Sequence, residues 1–432
     1  MRSELFVSHA ARCRPRLLAG AAVLLLALTS CGGYGDNYCD WGCVTGPIGP
    51  QPTVNVPNSI AIADVNGDGV PDLVVATTAD SGALTNPGFA NVILNSAASP
   101  GTFDSGVQYA TTGTNPSGIV ATDLTGSGHL DLIVSNSGSG SISVFMHGAI
   151  AGTFMPAVNI VTGGQPNQVV AGDLTGSGAS LDLALADNSP SGNAIILVHD
   201  AANPGQFLAP IMLATNNFTP SVAIGSLGNG TIAVVAATYD INGNNGAVYV
   251  FVETSASPVT FAAPVTFPAG AQPQAVRIAD VNGDGLPDLV VANYGPGSDG
   301  TGTAGVSVLL QNAATPGTFA APVSYQTPFG AVDVAVGDVN GDGRPDLVVA
   351  SLGPPLTGAV SVLLQNPAPA AAGTFGTATV YPGLGQPLSV AIGDLSGNGL
   401  ADIAVADGTS ATVLFQNANS PGTFANPVQV GN

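Results

Sequence analysis

The fold of this chain is determined by a repeated nine-residue motif, which first occurs as Asp64-Val-Asn-Gly-Asp-Gly-Val-Pro-Asp72. It returns almost unchanged as Asp280-Val-Asn-Gly-Asp-Gly-Leu-Pro-Asp288 and as Asp338-Val-Asn-Gly-Asp-Gly-Arg-Pro-Asp346. Looser copies run from Asp123 to Asp131, from Asp173 to Asp182 and from Asp394 to Asp402. Short apolar runs of strand type flank the copies on both sides. Each loop is therefore predicted to be the turn of a β-hairpin.

The copies recur at a nearly constant spacing. With a degenerate fourth copy taken to start at Gly225, their first residues lie 59, 50, 52, 55, 58 and 56 positions apart. A fixed period of this size in a chain of strand-like runs is typical of a propeller or a solenoid. Each unit holds four such runs, which in the fifth unit are Ala275–Ala279, Leu289–Ala292, Val306–Leu310 and Phe319–Tyr325. These units predict an all-β fold, a seven-bladed β-propeller of four-stranded blades, over residues 53–432.

An aromatic residue recurs in register just before the fourth run of each unit. The seven residues are Phe103, Phe154, Phe207, Phe261, Phe319, Phe375 and Phe424. We expect them to be core plugs between blades instead of a binding platform, because a buried ring contributes a large apolar area at an interface. The sequence does not determine how the first and last blades join to close the ring. The last unit is complete by Val428–Val430, and Thr53–Val56 resembles an extra outer strand that could latch the ring.

The units resemble the FG-GAP/VCBS repeats of bacterial surface proteins, which are similar to the propeller repeats of integrin α-subunits. The resemblance rests on the Asp-x-Asn-Gly-Asp-Gly-x-x-Asp loop, on the following Asp-Leu-Val-Val-Ala strand (Asp288–Ala292) and on the Pro-Gly-Thr-Phe-x-x-Pro-Val step (Pro316–Val323). It covers the chain from about Thr53 to Asn432 and implies a propeller. It implies little about function, since such folds carry adhesion, scaffolding and accessory roles.

The acidic loops offer the oxygen donors that calcium requires, which are side chains at positions 1, 3, 5 and 9 and a backbone carbonyl at position 7. The three complete loops present Asp64, Asn66, Asp68, Val70 and Asp72; Asp280, Asn282, Asp284, Leu286 and Asp288; and Asp338, Asn340, Asp342, Arg344 and Asp346. A fourth presents Asp394, Ser396, Asn398, Leu400 and Asp402. Two others keep two carboxylates each, with Asp123, Thr125, Ser127 and Asp131, and with Asp173, Thr175, Ser177 and Asp182.

The competing interpretation of these loops is that the Asp side chains cap tight turns by accepting backbone N–H groups. Charge favours Ca²⁺ as the cofactor, because three carboxylates on one turn repel each other without a cation. Beyond the first 30 residues, the only basic side chains apart from histidine are Arg277 and Arg344, and the formal net charge of the chain is −21. No basic patch is available to neutralise phosphates, so nucleic-acid binding is excluded.

The N-terminus carries a targeting signal. Arg12, Arg14 and Arg16 precede an apolar run from Leu17 to Leu28 and the sequence Leu28-Thr-Ser-Cys31. Residues 1–30 therefore read as a signal peptide, and the ending resembles a bacterial lipobox with Cys31 as the acylated residue. Residues 31–52 read as a lipidated flexible tether, with Cys39 and Cys43 as a disulfide. The resemblance implies a lipid-anchored protein of the cell envelope, in the outer membrane of a Gram-negative bacterium.

Catalytic signals are weak, and we expect no enzymatic activity. His147 and His199 fall at the end of the third run, where other units place Asn, Glu or Gln, so we interpret this as an edge position. His129 lies at a variable position of an acidic loop. The predicted function is a monomeric adhesion or assembly scaffold for protein or glycan ligands. These would bind on the face of the variable loops Thr77–Ala90 and Asn293–Gly305, opposite the calcium loops. The alternative is a carbohydrate-active enzyme or its accessory glycan-binding subunit.

Overall fold

The computed structural model describes residues 55–79, 87–178, 180–228, 230–240, 246–295, 304–353, 357–367 and 372–431. Every regular element in this part of the chain is a β-strand, and the strands form seven antiparallel sheets. Each sheet is contiguous in sequence and forms one blade of a seven-bladed propeller, as predicted. None of the described residues belongs to a helix long and apolar enough to cross a membrane.

The first four blades contain seventeen strands. Blade 1 has β1 (Asn55–Ala63), β2 (Asp72–Ala79), β3 (Pro87–Ile93) and β4 (Val107–Thr114). Blade 2 has β5 (Pro116–Thr122), β6 (Asp131–Asn136), β7 (Ser141–Phe145) and β8 (Val158–Val161). Blade 3 has β9 (Pro166–Gly172), β10 (Asp182–Asp187), β11 (Asn193–Leu197) and β12 (Ile211–Ala214). Blade 4 has β13 (Phe218–Ser226), β14 (Ile232–Tyr239) and β15 (Ala247–Ala256), with its outer edge divided between β16 (Val259–Phe261) and β17 (Val265–Pro268).

The last three blades are regular four-stranded sheets. Blade 5 has β18 (Pro273–Ala279), β19 (Asp288–Asn293), β20 (Gly305–Leu309) and β21 (Val323–Gln326). Blade 6 has β22 (Gly330–Gly337), β23 (Asp346–Gly353), β24 (Thr357–Leu363) and β25 (Thr379–Leu384). Blade 7 has β26 (Ser389–Gly393), β27 (Asp402–Ala406), β28 (Ala411–Leu414) and β29 (Val428–Val430).

The core lies between neighbouring blades. The second strand of each blade is buried on both faces, which explains its unbroken apolar sequence, such as Leu289–Ala292 in β19. One cluster joins Val290 and Val308 of blade 5 to Val334 and Val349 of blade 6, and the other interfaces are built in the same way. The hydrophobic effect therefore holds the blades together face to face.

The recurring aromatic residues are plugs between blades, as predicted. Four of them are buried: Phe154, Phe319, Phe375 and Phe424. Each meets an aromatic ring of the preceding blade edge to face, with Phe375 lying 5.3 Å from Tyr325 between ring centroids. Phe319 stands outside the strand that was predicted to contain it, because β21 starts only at Val323. It instead pairs with Gln311 through a single β-bridge.

The ring closes by direct packing of blade 7 on blade 1. Leu395 and Ala404 share a buried cluster with Ile60 and Val75, and Asn95 Nδ2 donates a 2.7 Å hydrogen bond to Leu395 O. The prediction of an outer latch strand at Thr53–Val56 is wrong where the structure describes it. Asn55 and Val56 begin the innermost strand, β1, and pair with Ala79 and Thr78.

The fourth unit starts one residue later than the sequence pattern indicated. Gly225 pairs with Ala233 in the same register as Ala63 with Asp72, so Gly225 corresponds to Ala63, and Ser226, the last residue of β13, corresponds to Asp64. The loop is one residue shorter than the complete ones. The Leu227 N–H donates to Thr231 O at 2.7 Å, whereas the other loops supply an Asp side chain for the equivalent N–H.

Candidate functional site

The six acidic loops lie on one face of the propeller, because each joins the end of a first strand to the start of a second. Position 1 organises each complete loop. Asp64 Oδ1 accepts the Gly67 and Asp68 N–H groups at 2.7 and 3.1 Å, and Oδ2 accepts the Gly69 N–H at 2.8 Å. The two glycines have φ angles of 74° and 88°, a left-handed conformation that explains why glycine stands there. The loops at Asp280 and Asp338 repeat these contacts.

Position 9 is a buried structural carboxylate. Asp72 accepts the Val65 N–H at 3.0 Å and the Asn95 N–H at 2.8 Å, and it is fully buried. Its pKa is raised to about 6, mainly by burial; the two N–H donors oppose this effect, and the nearby carboxylates of Asp68 and Asp64 add to it. The equivalent residues Asp288 and Asp346 show the same pKa, also raised to about 6 mainly by burial. Each complete loop thus holds negative charge, and within the described part of the chain Asp342 is the one carboxylate of these loops that pairs with a cationic side chain.

The donor set of these loops fits a hard cation. It consists of carboxylate, amide and carbonyl oxygens, which are the ligands that calcium takes. The capping interpretation is also visible, since Asn66 Oδ1 and Asp68 Oδ1 accept the Asp68 and Val70 N–H groups at 2.8 and 2.9 Å. Among the described residues, no three His, Cys, Asp or Glu side chains converge as a metal-binding group. Calcium binding therefore stays a prediction. The side chains available as ligands are Asp64, Asn66 and Asp68 and their equivalents in the other two complete loops.

The other acidic loops differ from the complete ones in their donors. In the Asp394 loop, Asn398 Oδ1 replaces the position 5 carboxylate and accepts the Leu400 N–H at 2.8 Å. In the Asp123 and Asp173 loops, serine stands at position 5 and its N–H donates to the position 1 carboxylate. The pKa of Asp123 is lowered, because N–H donors outweigh the opposing effect of burial. In the complete Asp338 loop, Arg344 pairs with Asp342 and already supplies a positive charge.

Position 3 connects each complete loop to a neighbouring blade. A Cβ added to Gly152, Gly373 or Gly422 would lie 3.0–3.1 Å from the Cβ atoms of Asn66, Asn282 or Asn340, respectively. These glycines precede the Thr-Phe pair that carries the aromatic plug of the next blade. This close approach explains why glycine stands first in the Gly-Thr-Phe step. It also means that an ordered acidic loop supports the interface between its own blade and the next one.

The polar residue at the end of the third strand is buried in five of the seven blades, so its interpretation as an edge position is wrong there. Asn95, His199, Gln311, Gln365 and Gln416 are at most 7% exposed. Their backbone N–H groups donate to the position 9 carboxylate of their own blade. The side chains of Gln365 and Gln416 also donate to Val281 O and Val339 O of the preceding blade. This position therefore stabilises the blade interfaces. The sequence did not indicate this role, because the polar residue differs from blade to blade.

A second candidate site lies at the opposite face, where the central channel opens. The channel mouth is a cavity of about 760 Å³ lined by the starts of first strands and the ends of second strands. It continues into a narrower cavity of about 390 Å³, which shares lining residues such as Asn58 and Leu388 with it. Deeper in the channel, Arg277 forms a 2.5 Å ion pair with Asp333 of the next blade. The size of the mouth falls within the range of small-molecule sites.

β-Bulges place five of the residues at the channel mouth. The pairing of first and second strands shifts register in blades 1 to 6. In five of these blades the extra residue lines the mouth, and these residues are Asn58, Ser117, Asn167, Gln274 and Val332. In blade 4 the shift falls between Phe218 and Ser221, and Pro220 lines the narrower cavity instead. A bulge redirects a side chain out of the regular sheet pattern and is common next to functional sites. This feature was missed from the sequence, although the prolines at or next to the bulges were a usable signal.

The polar side chains of the mouth are held in place by the neighbouring blades. Asn58 Nδ2 donates to Pro116 O of blade 2 at 2.7 Å, and Asn167 Nδ2 donates to Pro220 O of blade 4 at 2.9 Å. Asn115 and Gln272, which also line the mouth, have φ angles of 52° and 50°. Such left-handed backbone in residues other than glycine is strained and is often found at functional sites.

The composition of the mouth is amphipathic and uncharged. None of the described residues that line it is charged, although the chain as a whole is strongly acidic. Blades 1–3 contribute mainly amides and hydroxyls, and blades 5–7 add Tyr294, Val332, Leu352 and Leu388. Tyr294 packs over Gly330, where a Cβ would lie 2.6 Å from the ring. The mouth thus combines fixed hydrogen-bonding groups with an aromatic and aliphatic wall.

The fold and the loops together define a propeller of FG-GAP type. The model of the FG-GAP-like repeat family matches residues 64–134, 227–291 and 280–349. The chain therefore contains FG-GAP-like repeats, as the loop motif predicted. No curated protein sequence matches the chain.

Several solved structures resemble this propeller. A putative 6-phosphogluconolactonase from Bacteroides uniformis has a TM-score of 0.56 and 12% identity, over 87% of this chain and 97% of that one. The periplasmic gluconolactonase PpgL of Pseudomonas aeruginosa has a TM-score of 0.52 and 18% identity, over 83% and 96% of the two chains. BBS1N, crystallised with ARL6DN, has a TM-score of 0.48 and 12% identity over 82% and 95%.

The prediction that the protein is not an enzyme is wrong in the light of these structures. Two of the similar propellers are a gluconolactonase and a putative 6-phosphogluconolactonase, so this fold carries enzymes. The absence of familiar catalytic motifs in the sequence was therefore a poor guide. Identities of 12% and 18% establish a common fold alone, and neither substrate follows for this chain.

Several predicted features lie outside the described residues. They are the signal peptide, the lipidated Cys31, the tether with Cys39 and Cys43, and parts of the variable loops Thr77–Ala90 and Asn293–Gly305. The described ends of these two loops, at Thr78 and Tyr294, line the channel mouth. The face predicted for ligand binding is therefore the face on which the mouth opens.

Proposed function

We propose that this propeller is a binding scaffold of the cell envelope that holds a neutral, hydroxyl-rich ligand such as a glycan at its channel mouth. The observation that carries the proposal is that five of the six blades with a β-bulge direct the extra side chain into one cavity. A regular sheet would not place these residues there. Bulges at one register in most blades indicate a shared site.

The chemistry of the lining favours this class of ligand. Amides and hydroxyls donate and accept hydrogen bonds, as sugar hydroxyls do, and an aromatic ring packs on the apolar face of a sugar. A charged ligand would find no opposite charge at the mouth, and the Arg277 guanidinium below it is already paired with Asp333. The fixed Asn58 and Asn167 reduce the entropy lost on binding, because they are ordered before the ligand arrives.

Calcium has a supporting role in this proposal. It binds the complete loops at Asp64, Asp280 and Asp338 on the far face, where it neutralises crowded carboxylates. Through the contacts of Asn66, Asn282 and Asn340 with the next blades, it stabilises the blade interfaces. The scaffold thus separates stabilisation and ligand binding between its two faces.

Tyr294→Ala is expected to abolish or weaken ligand binding at least tenfold, because it removes the aromatic part of the mouth. Binding of the full chain to an array of neutral oligosaccharides measures this. The matched control is Tyr239→Ala, since Tyr239 occupies the same register in blade 4 but stacks on Phe218 at 5.6 Å and does not line the mouth. Equal binding by the Tyr294→Ala protein and the wild type would disprove the site, and binding only to charged compounds would disprove the ligand class.

Attachment to the membrane is proposed through Cys31, by resemblance of Leu28-Thr-Ser-Cys31 to a lipobox. Cys31→Ser is expected to release the protein from the membrane fraction or to block its processing. Fractionation of the producing cells and the mass of the mature protein test this. Cys13→Ser, in the segment that the signal peptidase removes, is the control and should change neither. An unchanged distribution of the Cys31→Ser protein would refute the anchor.

A further inference from the structure

Blade 2 brings two histidines together beside its acidic loop. His129 stands at position 7 of the Asp123 loop, and His147 follows the third strand, β7. Their ring centroids lie 4.9 Å apart with an angle of 36° between the ring planes. His129 is exposed and the side chain of His147 is 31% exposed, so solvent reaches both rings.

A buried carboxylate fixes His147. Its Nδ1 lies 3.0 Å from Oδ1 of Asp131, which is fully buried and also accepts the His147 backbone N–H at 2.9 Å. Because a carboxylate only accepts hydrogen bonds, Nδ1 carries the proton and Nε2 keeps its lone pair. Histidines that bind metals commonly donate their second ring N–H to a carboxylate in this way, which orients the ring and increases its basicity.

We propose that His129 and His147 form a binding site for a borderline divalent cation of the zinc class. Two imidazoles on a tetrahedral ion, with Zn–N bonds of about 2.1 Å, place their ring centroids roughly 5 Å apart, which agrees with the observed separation. Asp131 orients His147 and is not itself a ligand. Since no group of three acidic, His or Cys ligands occurs among the described residues, water completes the coordination.

The sequence of this loop supports a change of metal preference. Thr125 and Ser127 replace the Asn and Asp at positions 3 and 5 of the complete loops, so blade 2 has lost oxygen donors that calcium requires. It has gained two imidazoles instead, and imidazole prefers zinc, copper and nickel to calcium. The site is thus distinct from the three complete calcium loops in both ligands and ion, and it replaces calcium as the ion expected beside the Asp123 loop.

Blade 3 provides an internal comparison. His199 occupies the same register as His147, but it is 7% exposed and its Nε2 accepts the Gly205 N–H at 3.2 Å. Its ring packs edge to face on Phe207 at 5.9 Å instead of lying beside a second histidine. His199 therefore has a structural role, and register alone does not create the site in blade 2.

Zinc binding by the full chain tests the proposal. Free thiols are alkylated in every sample, and the affinity is measured by competition with a chromophoric chelator. His129→Gln and His147→Gln are each expected to weaken the binding of one zinc ion at least tenfold, and His199→Gln to leave it unchanged. Other blades have Gln at this position, as Gln311, Gln365 and Gln416, so the His147 and His199 variants are expected to keep the fold. Thermal unfolding of each variant confirms that it is folded.

Competition with calcium gives a second measurement. Millimolar calcium is expected to leave the zinc affinity of the wild-type chain unchanged, because the two ions use different ligands. The proposal is overturned if the His129→Gln and His147→Gln proteins bind zinc as tightly as the wild type. It is also overturned if His199→Gln weakens binding to the same extent, or if calcium displaces the zinc ion.

Discussion

Phe375→Ala is expected to lower the free energy of unfolding of the propeller by about 3–5 kcal/mol, the usual loss for a buried Phe in a core. Phe375 is 6% exposed, lies in the cluster between blades 5 and 6, and meets Tyr325 edge to face. Truncation removes this aromatic contact and leaves a cavity at the interface, where the surrounding strands cannot collapse because they are fixed by their own sheets. Equilibrium unfolding in urea measures the change.

The matched control for this prediction is Phe103→Ala. Phe103 occupies the same register in blade 1 and packs only as a partly buried residue against the cluster between blades 7 and 1. Its truncation is expected to cost clearly less than that of Phe375, because less of its ring leaves solvent on folding. If both substitutions had the same small effect, the aromatic residues would not be the plugs that hold the blades together.

Calcium is expected to raise the unfolding temperature of the full chain by several degrees relative to a chelator. At millimolar calcium and a dissociation constant of about 0.1 mM, typical of extracellular modules, one site contributes roughly 1.4 kcal/mol. Three complete loops then contribute about 4 kcal/mol, a large fraction of the stability of a domain. Thermal unfolding followed by circular dichroism, with and without calcium, measures the shift. An unchanged midpoint would leave turn capping as the sole role of the acidic residues.

Asp284→Ala is expected to remove much of the calcium response of its loop. Asp284 is an exposed position 5 carboxylate that accepts the Leu286 N–H at 2.8 Å and the side-chain amide of Asn282 at 3.1 Å. Both contacts are exposed to solvent, so their loss is expected to cost little apart from metal binding. Ser127→Ala, at the same position of the Asp123 loop, is the control and should be nearly silent. A calcium response that survives Asp284→Ala in full would exclude that loop as a calcium site.

The fold could be predicted from the sequence because one motif repeats in register with its flanking strands. Each copy specifies a turn through Asp64-type caps and left-handed glycines, and each is followed by a buried strand such as Leu73–Ala76. Six repetitions of that local pattern and one degenerate copy at the same spacing leave few alternatives to a propeller. The fourth unit was misaligned by one residue because, without its acidic residues, only strand pairing shows that Gly225 corresponds to Ala63.

The parts of the sites that could not be predicted depend on contacts between blades. The amides of Gln365 and Gln416 were assigned to an edge because the residues to which they bond, Val281 and Val339, are 84 and 77 positions away in the chain. The bulged Asn58 and Asn167 likewise meet only in the closed ring. Local patterns fix hairpins, whereas the channel mouth is a product of the whole ring.

The pairing of His129 with His147 shows the same limit at shorter range. Sequence alone placed one histidine in a loop and the other after a strand, with no indication that their rings are neighbours. The hairpin brings both to the same end of blade 2, where the buried Asp131 orients His147. The equivalent His199 has no such neighbour among the described residues of blade 3, so the residue type at this position carried no information about the site.

The separation of the two faces is tested most directly by two measurements on the Tyr294→Ala and Asp284→Ala proteins. One is oligosaccharide binding at a low temperature, at which both proteins are folded. The other is the shift of their unfolding temperature with calcium. Tyr294→Ala is predicted to lose ligand binding and to keep the full calcium response. Asp284→Ala is predicted to lose much of the calcium response of its loop and to bind the ligand as the wild type does. Ligand binding that survives Tyr294→Ala, or that disappears in the folded Asp284→Ala protein, would contradict a ligand site at the channel mouth opposite the calcium loops.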